Sequence, residues 1–362
     1  MRTRLVQGVV EGDRLLFIAA AVLSLVSLVA LRSATATLQP ALAARQALWV
    51  GVGIVACLLV TSVPYTRWLN GSLVLYIGVV ILLVVVQLAG TVKLGATRWI
   101  TVFGLSVQPS ELAKLACACI VARSVALQPH PLSMRTLVVS ASLVALPAFL
   151  VFVQPDLGTS SIIGVIWLGM VWVAGISRKH LTILATIMLC SLPIGWHFLK
   201  DYQRTRLLVF LNPHVDPLGA GYTIIQSQIA IGSGGLFGRG WMAGTQNQLN
   251  FLPERHADFL FSVVGEEWGF LGSVTVVVAF SLFLWRAVSI AMRNSDLQGR
   301  MLAMGLTSWI AYQALVNMGM VMGLVPVVGV PLPLVSYGGS AMVAAWIVVG
   351  LLQSIYRFGT RF

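Results

Sequence analysis

The chain has 362 residues, of which 58% are hydrophobic and 9% charged, with 23 Lys+Arg against 11 Asp+Glu. A soluble domain carries about 25% charged residues, so this chain has too little polar surface to face water on all sides. The formal charge of +12 would suggest nucleic acid on a soluble protein, but the cations fall mainly between apolar runs, a pattern of membrane topology and not of a nucleic-acid partner.

A spanning helix needs about 20 predominantly apolar residues. Ten such runs are predicted at about 15–31, 46–63, 72–91, 109–127, 137–153, 158–175, 180–198, 259–285, 301–324 and 338–356. They are continuous and lack the two-residue alternation of barrel strands, so the fold class is all-α: a polytopic integral membrane protein. The first run follows Arg2, Arg4 and Arg14 with no small-residue cleavage site, and is expected to stay as a span. Ten spans put both termini on one side. Arg67, Arg123, Arg135, Arg178, Lys179, Arg286, Arg293, Arg300 and Arg357 fall on that side, against Arg32, Arg45, Lys93 and Arg98 in the short loops opposite. The positive-inside rule then makes both termini cytoplasmic. Residues 1–362 form a single membrane domain.

The long segment at about 199–258 is expected to be an extracytoplasmic loop. It holds Asp201, His214, Asp216, Glu254, His256 and Asp258, with Arg204, Arg206 and Arg239. Loops this long usually carry function. Two shorter polar segments, 92–108 and 325–337, lie on the same side. Cys57, Cys117, Cys119 and Cys190 all lie in apolar runs and read as small core residues, not as disulfides or metal ligands.

Three acidic positions bear on chemistry. Glu111 and Lys114 share a helix face at i,i+3 and can pair, either as a structural tie or beside a cavity. Asp156 stands at the head of the sixth run, where its plain role is an N-cap. Asp258 is the last acid before the eighth run. Partial desolvation there raises a carboxyl pKa toward that of a useful base, and an N-cap is its plainer alternative. Glu266 and Glu267, inside the same run, need polar company and read as a structural network. Arginine forks such as those of Arg204, Arg206 and Arg239 bind phosphate oxygens, in a substrate or in lipid headgroups. No carboxylate cluster suggests a firmly held metal.

Four stretches carry a resemblance. They are Gly95-Ala-Thr-Arg-Trp99 leading to Gln108-Pro-Ser-Glu-Leu-Ala-Lys114; Gln154-Pro-Asp-Leu-Gly-Thr159; Asp216-Pro-Leu-Gly-Ala-Gly-Tyr222 running through Gln226–Gly235 to Phe251-Leu-Pro-Glu-Arg-His-Ala-Asp258; and Pro331-Leu-Pro-Leu-Val-Ser-Tyr-Gly-Gly-Ser340. With them the chain resembles, over nearly its whole length, the shape, elongation, division and sporulation (SEDS) family of bacterial cell-wall polymerases. Glu254-Arg255-His256 and Gly329-Val-Pro-Leu-Pro333 look like the rod-shape branch of that family rather than its division branch. Ala257, Trp268 and Arg239 depart from the usual Thr, Leu and Lys.

The resemblance implies a peptidoglycan glycosyltransferase in the bacterial cytoplasmic membrane that polymerises lipid II on the outer face during elongation and shape maintenance. The family's catalytic acid falls on Asp258, and its supporting acid and lysine on Glu111 and Lys114. Arg98, Trp99, Asp156, Arg204, Arg206, Arg239, Ser336 and Tyr337 are the candidates for holding substrate or pyrophosphate, with Lys114 a further cation for the pyrophosphate. No tightly bound cofactor is implied, with room for assistance by a divalent cation. The implied partners are a class B penicillin-binding protein with transpeptidase activity, other cell-elongation proteins and membrane lipid. A lipid II flippase would use the same cavity and cations, and a scaffold would use only the helix surfaces.

Overall fold

The computed structural model describes residues 12–36, 38–93, 96–102, 105–129, 132–199, 201–212, 215–216 and 219–360. The expectations placed on Arg2, Arg4, Gly95 and His214 lie outside the described residues.

Each apolar run forms a helix. In chain order the structure has α1 (Arg14–Ala34), α2 (Ala41–Thr61), α3 (Tyr65–Asn70), α4 (Ser72–Ala89), β1 (Thr91–Lys93), β2 (Ala96–Val102), β3 (Leu105–Val107), α5 (Pro109–Ala126), α6 (Met134–Val153), α7 (Leu157–Val173), α8 (Arg178–Phe198), α9 (Asp201–Leu211), α10 (Ala220–Ser233), α11 (Thr245–Gln248), α12 (Leu260–Arg293), α13 (Leu297–Val321) and α14 (Gly339–Phe358). Several starts are set by side-chain caps: Asp13, Ser133, Asp156, Ser177 and Asp296 each accept a backbone N–H of the first turn.

Seven of these helices, α1, α2, α4, α6, α8, α12 and α14, are long and apolar enough to cross a membrane. Of the other three in the apolar runs, α7 has 17 residues, α5 carries Glu111, Lys114 and Arg123, and α13 carries Arg300, Gln313 and Asn317. Helix α13 packs on α5, α7 and α12. Surrounded by protein, it can keep polar groups that lipid would not tolerate. The outer surface is the reverse: Val74 and Leu88 on α4, and Phe270 and Val278 on α12, are largely exposed apolar side chains. Polar side chains inside and apolar ones outside suit lipid as the solvent, and the chain is a polytopic membrane protein.

Two features differ from the expected arrangement of spans and loops. Residues 91–107 fold into a small antiparallel sheet of order β1-β2-β3, because a polar connection at the bundle end satisfies its backbone by pairing strands. The segment expected as a long loop at 199–258 holds three helices, α9, α10 and α11, with turns and irregular chain between them. Cys190 is also not a core residue: it is exposed on α8, while Cys57, Cys117 and Cys119 are buried.

Helix α12 is broken at Gly269, whose φ of 65° and ψ of −157° suit glycine. The break frees the carbonyls of Glu266 and Glu267, which accept the N–H groups of Arg239 and Gly240 at 3.0 Å each. A side chain at Gly269 would put its Cβ 2.3 Å from the nitrogen of Gly238. The glycine therefore lets residues 236–240 cross the helix and fixes the segment that leads back to Asp258.

Candidate active site

Asp258 lies in the turn before α12, half-buried. It is not the cap: the N-cap position is Phe259, with no side-chain cap bond. Its carboxyl is therefore not committed to a helix start.

The approach to Asp258 is anchored from three sides. Glu266 accepts the N–H groups of Gln246 (2.8 Å) and Asn247 (3.2 Å), closing the start of α11. Glu267 accepts from the Ser33 hydroxyl (2.5 Å) and the Asn247 amide (2.9 Å). Buried Arg255 donates to the carbonyl of Ala34 at 2.6 Å and to that of Asn247. The two glutamates are thus a structural network, as their position inside an apolar run predicts.

Asp156 caps α7, with the Thr159 N–H 3.0 Å from Oδ1 and the Thr159 hydroxyl 3.0 Å from Oδ2. The cap also faces the site. Gln108 donates to Oδ2 at 3.4 Å, and Arg98 Nη1 lies 3.8 Å from the same oxygen. The Arg98 fork also donates to the carbonyls of Gln154 (2.9 Å) and Pro155. Its side chain remains 27% exposed, enough to meet an anion. Arg206, on α9, donates to the Val327 carbonyl at 3.3 Å.

The segment 325–337 closes over these groups. Gly329 has φ +69°, and a Cβ there would sit 3.4 Å from Asp258 Oδ2 and 3.7 Å from Arg206 Nη1. Backbone thus approaches the carboxylate where glycine leaves room. Gly329→Ala is expected to lower activity about tenfold or more, since it adds a methyl group beside the carboxylate and strains a left-handed residue by about 1–2 kcal/mol. Steady-state rates per folded molecule would check this; an unchanged rate would show that this space is not used.

Burial raises the carboxyl of Asp258 to about 6, helped by the charges of Glu254 and Asp156 and opposed by the cations of Arg206 and Arg98. Burial also lowers the pKa of His256, whose Nε2 lies 3.7 Å from Glu254 Oε2.

Glu111 and Lys114 form a buried ion pair at 2.8 Å near the start of α5. Lys114 Nζ also donates to Gln313 Oε1 at 3.3 Å and sits 4.3 Å from the centre of the Trp309 ring. The remaining candidates are placed differently. Trp99 neighbours Arg98 on β2, in register with Thr91. Ser336 Oγ accepts the Leu332 N–H at 2.8 Å, and the Tyr337 N–H donates to the His256 carbonyl at 3.0 Å. Both hold the 325–337 segment in place. Arg204 donates to the carbonyls of Trp196 (3.2 Å) and His197 (3.1 Å) at the end of α8. Arg239 donates to the Ser233 carbonyl at 3.3 Å beside the α12 break.

The structure therefore gathers Asp258, Asp156, Arg98 and Arg206, with Glu111–Lys114 connected through α13. Gln313 and Asn317, which make that connection, were not singled out from the sequence. A Gln and an Asn four residues apart inside an apolar run are the signal that marks them. Among the described residues no group of three or more His, Cys, Asp or Glu side chains is placed to hold a metal ion.

Known proteins share this architecture. The FtsW/RodA/SpoVE family model, described as a cell cycle protein, matches residues 13–361. Peptidoglycan glycosyltransferase MrdB of Escherichia coli is 42% identical over 308 residues, covering 85% of this chain and 83% of its own length. A chain in a solved structure of a peptidoglycan synthase complex superposes with a TM-score of 0.83 at 33% identity, covering 96% of this chain and 98% of that one. The rod shape determining protein RodA of Thermus thermophilus superposes with a TM-score of 0.73 at 27% identity, covering 97% and 98%. With matches across almost its full length and in its fold, the chain belongs to the FtsW/RodA/SpoVE family, the SEDS proteins, and resembles its RodA members.

Proposed function

We propose that this protein is a peptidoglycan glycosyltransferase that polymerises lipid II into glycan strands on the outer face of the bacterial cytoplasmic membrane during elongation. The names of its relatives support the activity. The observation that carries the mechanism is the Asp258 carboxyl, half-buried at the head of α12, raised to about 6 and flanked by Arg98 and Arg206. Ten spans with both termini cytoplasmic would put this end of the bundle outside, where lipid-linked sugars can reach it.

In this reading Asp258 takes the proton from the acceptor sugar hydroxyl. The oxygen attacks the anomeric carbon of the growing strand with inversion. The carbon–oxygen bond to pyrophosphate breaks, and the electron pair leaves with the diphosphate. One carboxylate is enough because the leaving group is already a stable anion, unlike the paired acids of glycosidases. Arg98 and Arg206 neutralise the departing charge. Lys114, buried among Glu111, Gln313 and Trp309, supports the site from behind. A class B penicillin-binding protein is the proposed partner, supported by the likeness to a chain of a peptidoglycan synthase complex.

The test incubates the purified protein and its partner with labelled lipid II, across several divalent cations, and resolves the products on a gel. A ladder of glycan lengths that is lost in Asp258→Asn supports the reading. No ladder from a folded complex, with lipid II instead crossing vesicle membranes unpolymerised, would make the protein a flippase.

A pH profile gives a second check. A base must be deprotonated, so with its carboxyl at about 6 the rate should rise with pH through about 6 and level off above it. A rate that stays flat down to pH 4.5 would remove Asp258 from the base role.

A further inference from the structure

Asn317 lies near the C-terminal end of α13 and is fully buried. Its amide nitrogen donates to two backbone carbonyls, those of Asp258 at 2.9 Å and Val330 at 2.7 Å. A side-chain amide has two N–H donors, and both are used. One turn earlier on the same face, Gln313 donates to the Pro331 carbonyl at 2.7 Å. Its oxygen accepts from Trp309 Nε1 at 2.7 Å and from Lys114 Nζ at 3.3 Å.

One face of α13 therefore grips three separate parts of the protein. These are the turn that carries Asp258, the 325–337 segment that closes over it, and the ion pair of α5. The path from Lys114 to Asp258 runs through Gln313, the adjacent carbonyls of Pro331 and Val330, and Asn317. Asn317 fixes the backbone of Asp258 itself, and Gln313 fixes that of Pro331, two residues from the Gly329 that faces the carboxylate.

We infer that Asn317 and Gln313 are positioning residues for Asp258, an assignment that rests on Asp258 being the base. A base must sit within hydrogen-bond reach of the proton it removes, and a misplacement of about 1 Å can cost about 100-fold in rate. The charged groups that face Asp258 are Glu254, Arg206 from α9, Asp156 at the head of α7 and Arg98 from β2. Asn317 bonds the carbonyls of Asp258 and Val330 and none of these charged side chains, so replacing it changes the carboxylate's place and leaves its charged neighbours unaltered.

The experiment measures kcat and KM for lipid II against pH in the full-length protein with its partner, scaled to folded protein by size exclusion. Asn317→Leu keeps the branched outline of the side chain at a larger volume and removes both donors. It is expected to lower kcat about 10- to 100-fold, to leave KM within about twofold, and to move the acid limb of the kcat profile to lower pH as the displaced carboxylate meets more water. A purely structural role would lower the yield of folded protein and leave the limb in place. Asn317→Ser, smaller and with one donor, covers the case in which the leucine variant does not fold, and is expected to shift both readouts in the same direction. Wild-type kcat and an unmoved limb in the folded variants would overturn the inference, while an inactive Asp258→Asn measured alongside would leave the base role standing. An Asp258→Asn enzyme with wild-type rate would overturn both.

Discussion

Asp258→Asn is expected to lower lipid II polymerisation by about 100- to 10,000-fold, the range that a positioned base contributes. The asparagine keeps the shape and cannot take the proton. Folding should not suffer. The carboxyl of Asp258 is raised in the folded protein, so its favourable contribution is complete below the unfolded pKa and is lost as pH rises through about 6. At pH 8 the native site holds a desolvated charge that asparagine lacks. The variant should therefore melt no lower than wild type at pH 8, and higher if this residue dominates the local balance. Parallel gel assays and thermal melts of the purified complex check both halves. Rate and stability lost together would point to a structural role, and a retained rate would exclude Asp258 as the base.

Lys114→Met is expected to cost about 3–5 kcal/mol of stability, because it leaves the buried carboxylate of Glu111 without its cation. Adding Glu111→Gln should recover most of that loss, since replacing both partners of a buried pair removes the unpaired charge. Activity should not recover with it. In the double variant Gln313 loses the ammonium donor on its oxygen, and the grip on Pro331 is no longer oriented from that side. Thermal melts of the single and double variants, with polymerisation measured per folded molecule, separate the two effects. If rate returns together with stability, the pair is only a tie between helices.

The two predictions concern residues that were visible in different ways. Glu111 and Lys114 are three residues apart, and helix geometry alone brings them onto one face. Asp156 stands three residues before Thr159, so its capping bond was also a local matter. The ten apolar runs needed only the length of a membrane and the cost of bare backbone in lipid. Local spacing could not separate a capping Asp258 from a free one. That depended on where α12 begins, and it begins one residue too late for Asp258 to cap it.

The charges and glycines of the long segment break the apolar pattern, so its sequence predicts a loop. In the structure, Glu266 of α12 supplies the acceptors that close the start of α11, a contact across about 20 residues that no local pattern reveals. Arg98, Arg206 and Gly329 come from a strand, a helix and an irregular segment, and they meet Asp258 only because the ends of distant helices converge.

By itself, then, the sequence determined the membrane as solvent, the approximate spans, the Glu111–Lys114 pair and the cap on α7, because each follows from composition or from contacts within one turn. Only the tertiary structure decided which cations face Asp258 and that Asn317 holds its backbone. Those contacts join residues 50 or more positions apart, such as Asn317 and Asp258 with a separation of 59. Their energies come from desolvation and hydrogen bonds that exist only once the helices have packed.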